Sequence, residues 1–118
     1  MEAPVMVAVV GNLKRVAERY GDDNALKIVN LDCSAAIEHI LLGVMELGLA
    51  SCYISGFRGK DLSEALGLPD HIVPVALLPI GYGAEEGMAR PRAPLEEIVF
   101  RERYGNRQAP PPHACSFP

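Results

Sequence analysis

Arg90 and Arg92 are the charged pair whose spacing most directly suggests ligand chemistry. Alternate residues of an extended segment point the same way, so two guanidinium forks in that arrangement could hold one phosphate dianion. Spacing alone fits a solvated basic patch beside Glu85-Glu86 better. Gly56 follows a strand-like segment and, having no Cβ, would let a ligand ring approach the backbone, although a turn glycine explains it as simply. Gly56-Phe57-Arg58-Gly59-Lys60-Asp61 is not a phosphate loop, because a Walker A loop needs four residues between its glycines and a Ser or Thr after the lysine. No serine lies in G-x-S-x-G and no histidine in H-E-x-x-H, so His39, His71 and His113 read as surface or helix-packing residues. Cys33, Cys52 and Cys115 are odd in number and lack a C-x-x-C pair, which signals reduced structural thiols, neither a disulfide framework nor a metal site.

The 118 residues allow one domain with a real core. Apolar residues make up 49% and charged residues 22%, the balance of an ordinary globular chain. The net charge of −4 is spread over interspersed acids and bases, which argues against nucleic acid as a partner. No uninterrupted apolar run approaches the roughly 20 residues of a membrane span, and Met1-Glu2-Ala3-Pro4 lacks a signal-peptide start. A cytoplasmic protein without membrane contact is the expectation.

Local patterning supplies the elements that would position these groups. Val5 to Val10, apolar on both alternating faces and closed by Gly11-Asn12, reads as a central strand covered on both sides. Leu13, Val16, Ala17 and Tyr20 form the apolar stripe of a surface helix stopped by Gly21, and Asp22-Asp23-Asn24 reads as a polar loop. A long helix is expected from Asp32 to Leu47, stopped by Gly48. Its apolar residues cover most of its circumference, so it should be enclosed on several sides, with a partner surface supplying what the chain lacks. Ser51 to Ser55 is a short strand candidate, and Asp61-Leu62-Ser63-Glu64 has capping-box spacing for a helix ending at Gly67. Ile72 to Tyr82 is a second buried strand, its prolines limiting regular pairing mainly to Val75 to Leu78. Pro94 should occupy the first position of a helical turn reaching Val99, and Pro110-Pro111-Pro112 marks an extended tail.

The order of these segments, from Ala3 to about Tyr104, resembles the nitroreductase family of flavin-binding oxidoreductases. The residues that carry the resemblance are Asp32-Cys33-Ser34-Ala35-Ala36, Glu46-Leu47-Gly48-Leu49-Ala50-Ser51 and Tyr53-Ile54-Ser55-Gly56-Phe57. They continue in Leu66-Gly67-Leu68-Pro69, Pro74-Val75-Ala76-Leu77-Leu78-Pro79-Ile80-Gly81-Tyr82, Arg90-Pro91-Arg92 and Pro94-Leu95-Glu96-Glu97.

The resemblance implies an α+β fold, a nitroreductase-like α/β sandwich without the family's N-terminal helices, in which a small sheet packs on a long buried helix. Residues 1–104 would form that truncated domain and 105–118 a Pro-rich tail. It further implies an FMN at the interface of an intertwined homodimer. Tyr53 and Ile54 would lie against the flavin ring, the Ser55-Gly56 backbone near N5, and Arg90 with Arg92 on the phosphate. NAD(P)H would give a hydride to the flavin, which would reduce a nitroaromatic, quinone or similar acceptor, with no side chain needed as acid or base. Ser55 replaces an often acidic family residue and Tyr53 an often tryptophan one. The family's early basic segment, which also grips the phosphate, has no counterpart before Glu2-Ala3-Pro4. A non-catalytic dimerisation or flavin-binding module is therefore the alternative.

Overall fold

The computed structural model describes residues 3–85, 87 and 90–107. The chain forms two compact units, Met1–Glu85 and Glu86–Pro118, each described by itself. The Pro110 to Pro112 segment expected to be extended lies outside the described residues.

The first unit is α+β. Strand β1 (Val5–Asn12) leads into helix α1 (Leu13–Tyr20), followed by the long helix α2 (Asp22–Glu46) and the short strand β2 (Ala50–Ser51). Helix α3 (Gly59–Leu66) and strand β3 (Ile72–Gly81) complete it. The sheet is antiparallel with the order β1-β3-β2. The expectation for β1 is thus corrected: β3 is central, and β1 is an edge with Val5 and Met6 exposed. The apolar run misled because both strands are β-branched and apolar, and composition does not distinguish a centre from an edge.

Pairing along β3 is longer than expected. Val5↔Ile80 through Val9↔Ala76 run in register, and a bulge beside Pro74 skips Val75 before Val10↔Pro74 continues the ladder to Asn12↔Ile72. The proline is accommodated by that bulge, so the ladder resumes beyond it. Val7 and Val9 sit directly opposite Leu78 and Ala76, and this face carries the core with Ile37 of α2. Ile37, Ala76 and Leu78 are fully buried.

Asp22-Asp23-Asn24 is not a loop. Gly21 has φ 79° and donates its N–H to Ala17 O at 2.8 Å, ending α1, and α2 begins at the next residue. The two aspartates sit in the first turn of α2, where their charge favours the helix N-terminus, so the helix runs 25 residues from Asp22. Gly11 lets it approach: a Cβ there would collide with Val29 Cγ1. At the other end Gly48 has φ 69°, Leu49 N–H donates to Val44 O and Gly48 N–H to Met45 O, each at 3.0 Å, a Schellman stop as the glycine signalled. α2 is long and apolar enough to cross a membrane by length and composition alone, a test that the core helix of a soluble protein also passes, and Ala25, Val29, Ile37 and Val44 are buried inside the unit. It is not enclosed all round: Leu26, Leu31, Leu42 and Met45 remain exposed.

α3 starts two residues before the expected cap. Arg58 is its N-cap and Asp61 lies in the first turn, 3.6 Å from Arg58 Nε, so the capping box is not used. Gly67, φ 64°, ends it as expected. In the second unit, α4 (Leu95–Ile98) has Pro94 as its N-cap, one position earlier than expected. Phe100 and Tyr104 pack with ring centroids 4.7 Å apart, and Arg107 lies over Phe100 at 5.5 Å.

Candidate flavin site

Ile54 is the fixed point of the site. It forms an isolated bridge with Leu77 through two backbone hydrogen bonds, Ile54 N–H to Leu77 O at 3.0 Å and Leu77 N–H to Ile54 O at 2.9 Å. Strand alternation turns neighbouring side chains to the other face, and Tyr53 is 42% exposed while Ile54 is half-buried.

The strand expected over Ser51 to Ser55 is interrupted at Cys52 and Tyr53, and the sequence of β3 explains why. With Ile54 opposite Leu77 and Ser51 opposite Ile80, the register sets Cys52 against Pro79. Hydrogen-bonded pairs alternate along an antiparallel ladder, so the next such pair after Ile54–Leu77 would need an N–H from residue 79. Proline has none, and the ladder breaks there. Continued the other way, the register sets Gly56 against Val75, the residue skipped at the bulge. Segment 52–56 is therefore held to the sheet at one point, between two irregularities of its partner strand.

Beyond that point the backbone is open. Ser55 and Gly56 are exposed, and neither N–H makes a backbone hydrogen bond among the described residues. Gly56 does not have positive φ, and a Cβ added to it would meet nothing within 4 Å. Neither positive φ nor packing among the described residues requires glycine here, and the bare Cα leaves room for an external group to approach. An exposed aromatic face, two free N–H groups and a bare Cα side by side fit a planar heteroaromatic ring with hydrogen-bond acceptors at its edge.

Arg90 and Arg92 lie in the second unit, on either side of Pro91 and before α4. Both are exposed, and neither is in an ion pair among the described residues. Tyr53 to Gly56 and the arginines thus belong to different units, so the sequence-based set divides into a ring-side group and a phosphate-side group.

Sequence reasoning gave Ser51 no role in the site. Its hydroxyl oxygen is buried without a hydrogen-bond partner, the one such side-chain atom among the described residues, and it lines a groove of about 410 Å³ with Cys52, Pro79 and Tyr82. An inward serine at a strand end is the signal that could have found it. Cys33 is half-buried, and burial first, then the Asp32 carboxylate, pushes its thiol above the ordinary range. It is a poor nucleophile at neutral pH. Among the described residues no cluster of three or more His, Cys, Asp or Glu could hold a metal ion.

The nitroreductase family model matches residues 1–82. The chain is 25% identical over 93 residues to an FMN reductase (NADPH) of Bacillus subtilis, covering 77% of this chain and 37% of that protein. It is 32% identical over 76 residues to an oxygen-insensitive NADPH nitroreductase of Salmonella typhimurium, covering 63% of this chain and 32% of that one. A nitroreductase family protein of Clostridium difficile superposes with a TM-score of 0.75 at 32% identity, over 86% of this chain and 60% of that structure. The chain spans about a third of the length of these curated relatives. With the family model matching more than half its residues and the fold superposing on a solved member, the chain belongs to the nitroreductase family.

Proposed function

We propose that the chain contributes to an FMN site and serves a flavin-dependent oxidoreductase that moves a hydride from NAD(P)H to a nitroaromatic, quinone or similar acceptor. The observation that carries this reading is the bare, unpaired backbone at Ser55-Gly56 beside the exposed Tyr53 ring. Tyr53 and Ile54 bear on the ring, and the Ser55 and Gly56 N–H groups supply donors at its N5 edge. Arg90 and Arg92 hold the phosphate through charge-assisted hydrogen bonds. When bound, FMN supplies the two-electron chemistry, while the protein fixes the ring and admits one substrate at a time. No acid or base from the chain is needed. The relatives' names support this reading: one is an FMN reductase and another an NADPH nitroreductase.

The acting form in this proposal is a homodimer joined through α2. The exposed Leu31, Leu42 and Met45 support it, since this apolar flank gains by being covered. The same flank favours a second reading, a dimerising module of the fold without catalysis. Purification followed by FMN titration, light scattering and NADPH oxidation separates the two. A yellow dimer that consumes NADPH is expected, and a colourless dimer that takes up no FMN would leave the module. Absence of both flavin and dimer would remove both readings.

A further inference from the structure

Three arginines crowd one short turn of the second unit. Arg101, Arg103 and Arg107 fall within seven residues, with Glu102 as the only acid among them. The backbone closes this stretch on itself: Arg101 N–H donates to Asn106 O at 3.0 Å and Asn106 N–H to Arg103 O at 3.1 Å, so Arg107 is brought back beside Arg101. Arg103 N–H also donates to Arg101 O at 2.6 Å, around a Glu102 whose φ of 59° lies in the left-handed region. Such a tight turn is strained for a residue with a Cβ. All three arginines are exposed, and none is in an ion pair among the described residues. Like charges held this close repel, and an anion placed among them would relieve that cost.

Aromatic rings stand beside the charge. Arg107 lies over Phe100 at 5.5 Å, and Phe100 packs on Tyr104 at 4.7 Å in a tilted arrangement. Tyr104 is 93% exposed, so most of its ring is bare. Guanidinium forks suit a phosphate, and an open ring suits a planar base. A simple carboxylate ligand would leave the ring unused. A nucleic acid would need a basic stripe, which a chain of net charge −4 with interspersed acids lacks. The fit is to a single nucleotide that carries a phosphomonoester. Arg90 and Arg92 are committed to the flavin phosphate in the proposed function, so this turn serves a second phosphate.

Resting on the reading of the chain as part of an NAD(P)H oxidoreductase, we propose that Arg101, Arg103 and Arg107 hold the 2′-phosphate of NADPH, with the adenine on Tyr104. NADH has the same base, riboses and nicotinamide but lacks this phosphate, so the turn selects NADPH between the two. The phosphate takes no part in hydride transfer, and the effect of the arginines therefore belongs in KM and leaves kcat unchanged.

Calorimetry of the full chain with adenosine 2′,5′-bisphosphate and with 5′-AMP tests this without flavin. The bisphosphate should bind at least about tenfold more tightly, the scale of a charge-assisted pair. Arg101→Gln with Arg103→Gln should remove that preference and leave 5′-AMP within about twofold. Equal affinity for the two ligands in the native chain, or an undiminished preference in the variant, overturns the inference. So does pyrophosphate binding as tightly as the bisphosphate, which would leave a plain anion patch with no use for a base. Reversing Arg90 and Arg92 should spare the bisphosphate, and its loss there would overturn the assignment by moving the phosphate to those two residues. With FMN bound, the double glutamine variant should raise KM for NADPH at least about tenfold while KM for NADH and both kcat values hold. Equal losses with the two coenzymes would again overturn it. A chain that takes up no FMN but keeps its preference for the bisphosphate would sink the flavin reading and leave the phosphate site standing.

Discussion

At the scale of single residues, two glycines without positive φ have opposite meanings. Gly11 is buried, and the space its Cβ would fill belongs to Val29 on α2. Replacing it forces the long helix off the sheet or Val29 out of its rotamer. Gly11→Ala is expected to cost about 2 kcal/mol of stability, the usual scale of overpacking, read by chemical denaturation. A change under about 0.5 kcal/mol would show that the α2 contact yields readily. Gly56 is exposed, and a Cβ there would meet no described atom within 4 Å, so packing among the described residues does not call for a glycine. The sequence shows both as glycines after apolar strands. What separates them is the approach of a segment eighteen residues away in one case and of no described segment in the other. Local pattern does not carry that information.

At the scale of elements, stop signals were legible and start signals were less so. Gly21, Gly48 and Gly67 end α1, α2 and α3, each with positive φ, because a helix stop is a property of one residue's backbone freedom. The starts of α2 and α3 moved upstream because acidic residues serve equally in a polar loop, at an N-cap or in a first turn, and only the preceding backbone decides among these. The prolines of β3 were expected to shorten its pairing. Their effect falls on the neighbouring segment: Pro79 withholds the donor that Cys52 would use, and the 52–56 segment is released from the sheet except at Ile54. Pro79→Ala restores the donor. Regular pairing is then expected to extend through Cys52 to Ile54, with slower amide exchange at these positions and weaker FMN binding as the backbone near Gly56 becomes less adaptable. Exchange at Cys52 to Ile54 as fast as in the native chain would show that the missing donor is not what interrupts the strand.

At the scale of the whole molecule, the proposed site residues come from two stretches of the chain. The ring-side residues belong to Met1–Glu85 and the arginines to Glu86–Pro118. Phosphate recognition isolates the contribution of the second unit, because riboflavin has the ring of FMN without its phosphate. Reversing both charges, Arg90→Glu with Arg92→Glu, should weaken FMN at least tenfold while leaving riboflavin within about twofold, since charge-assisted contacts of 1.5–3 kcal/mol are typical. Fluorescence titration with both ligands reads the difference, and equal losses would remove the arginines from the site. The family and the α+β class were legible from ordered short motifs, each weak alone. The separation into two units was not, since residues 83–89 join them through glycine and acidic residues that read equally as a loop within one domain.

The pairing of β1 with β3 joins residues 60 to 75 positions apart, from Asn12↔Ile72 to Val5↔Ile80, with α1, α2 and α3 between the two strands. Helices that need only near neighbours form early, whereas this sheet waits for its far strand. On the ribosome, Val5 and Met6 would therefore emerge long before their partner exists, leaving an apolar edge open during synthesis. The interval before β3 appears is when the nascent chain is most exposed to pairing with a stranger.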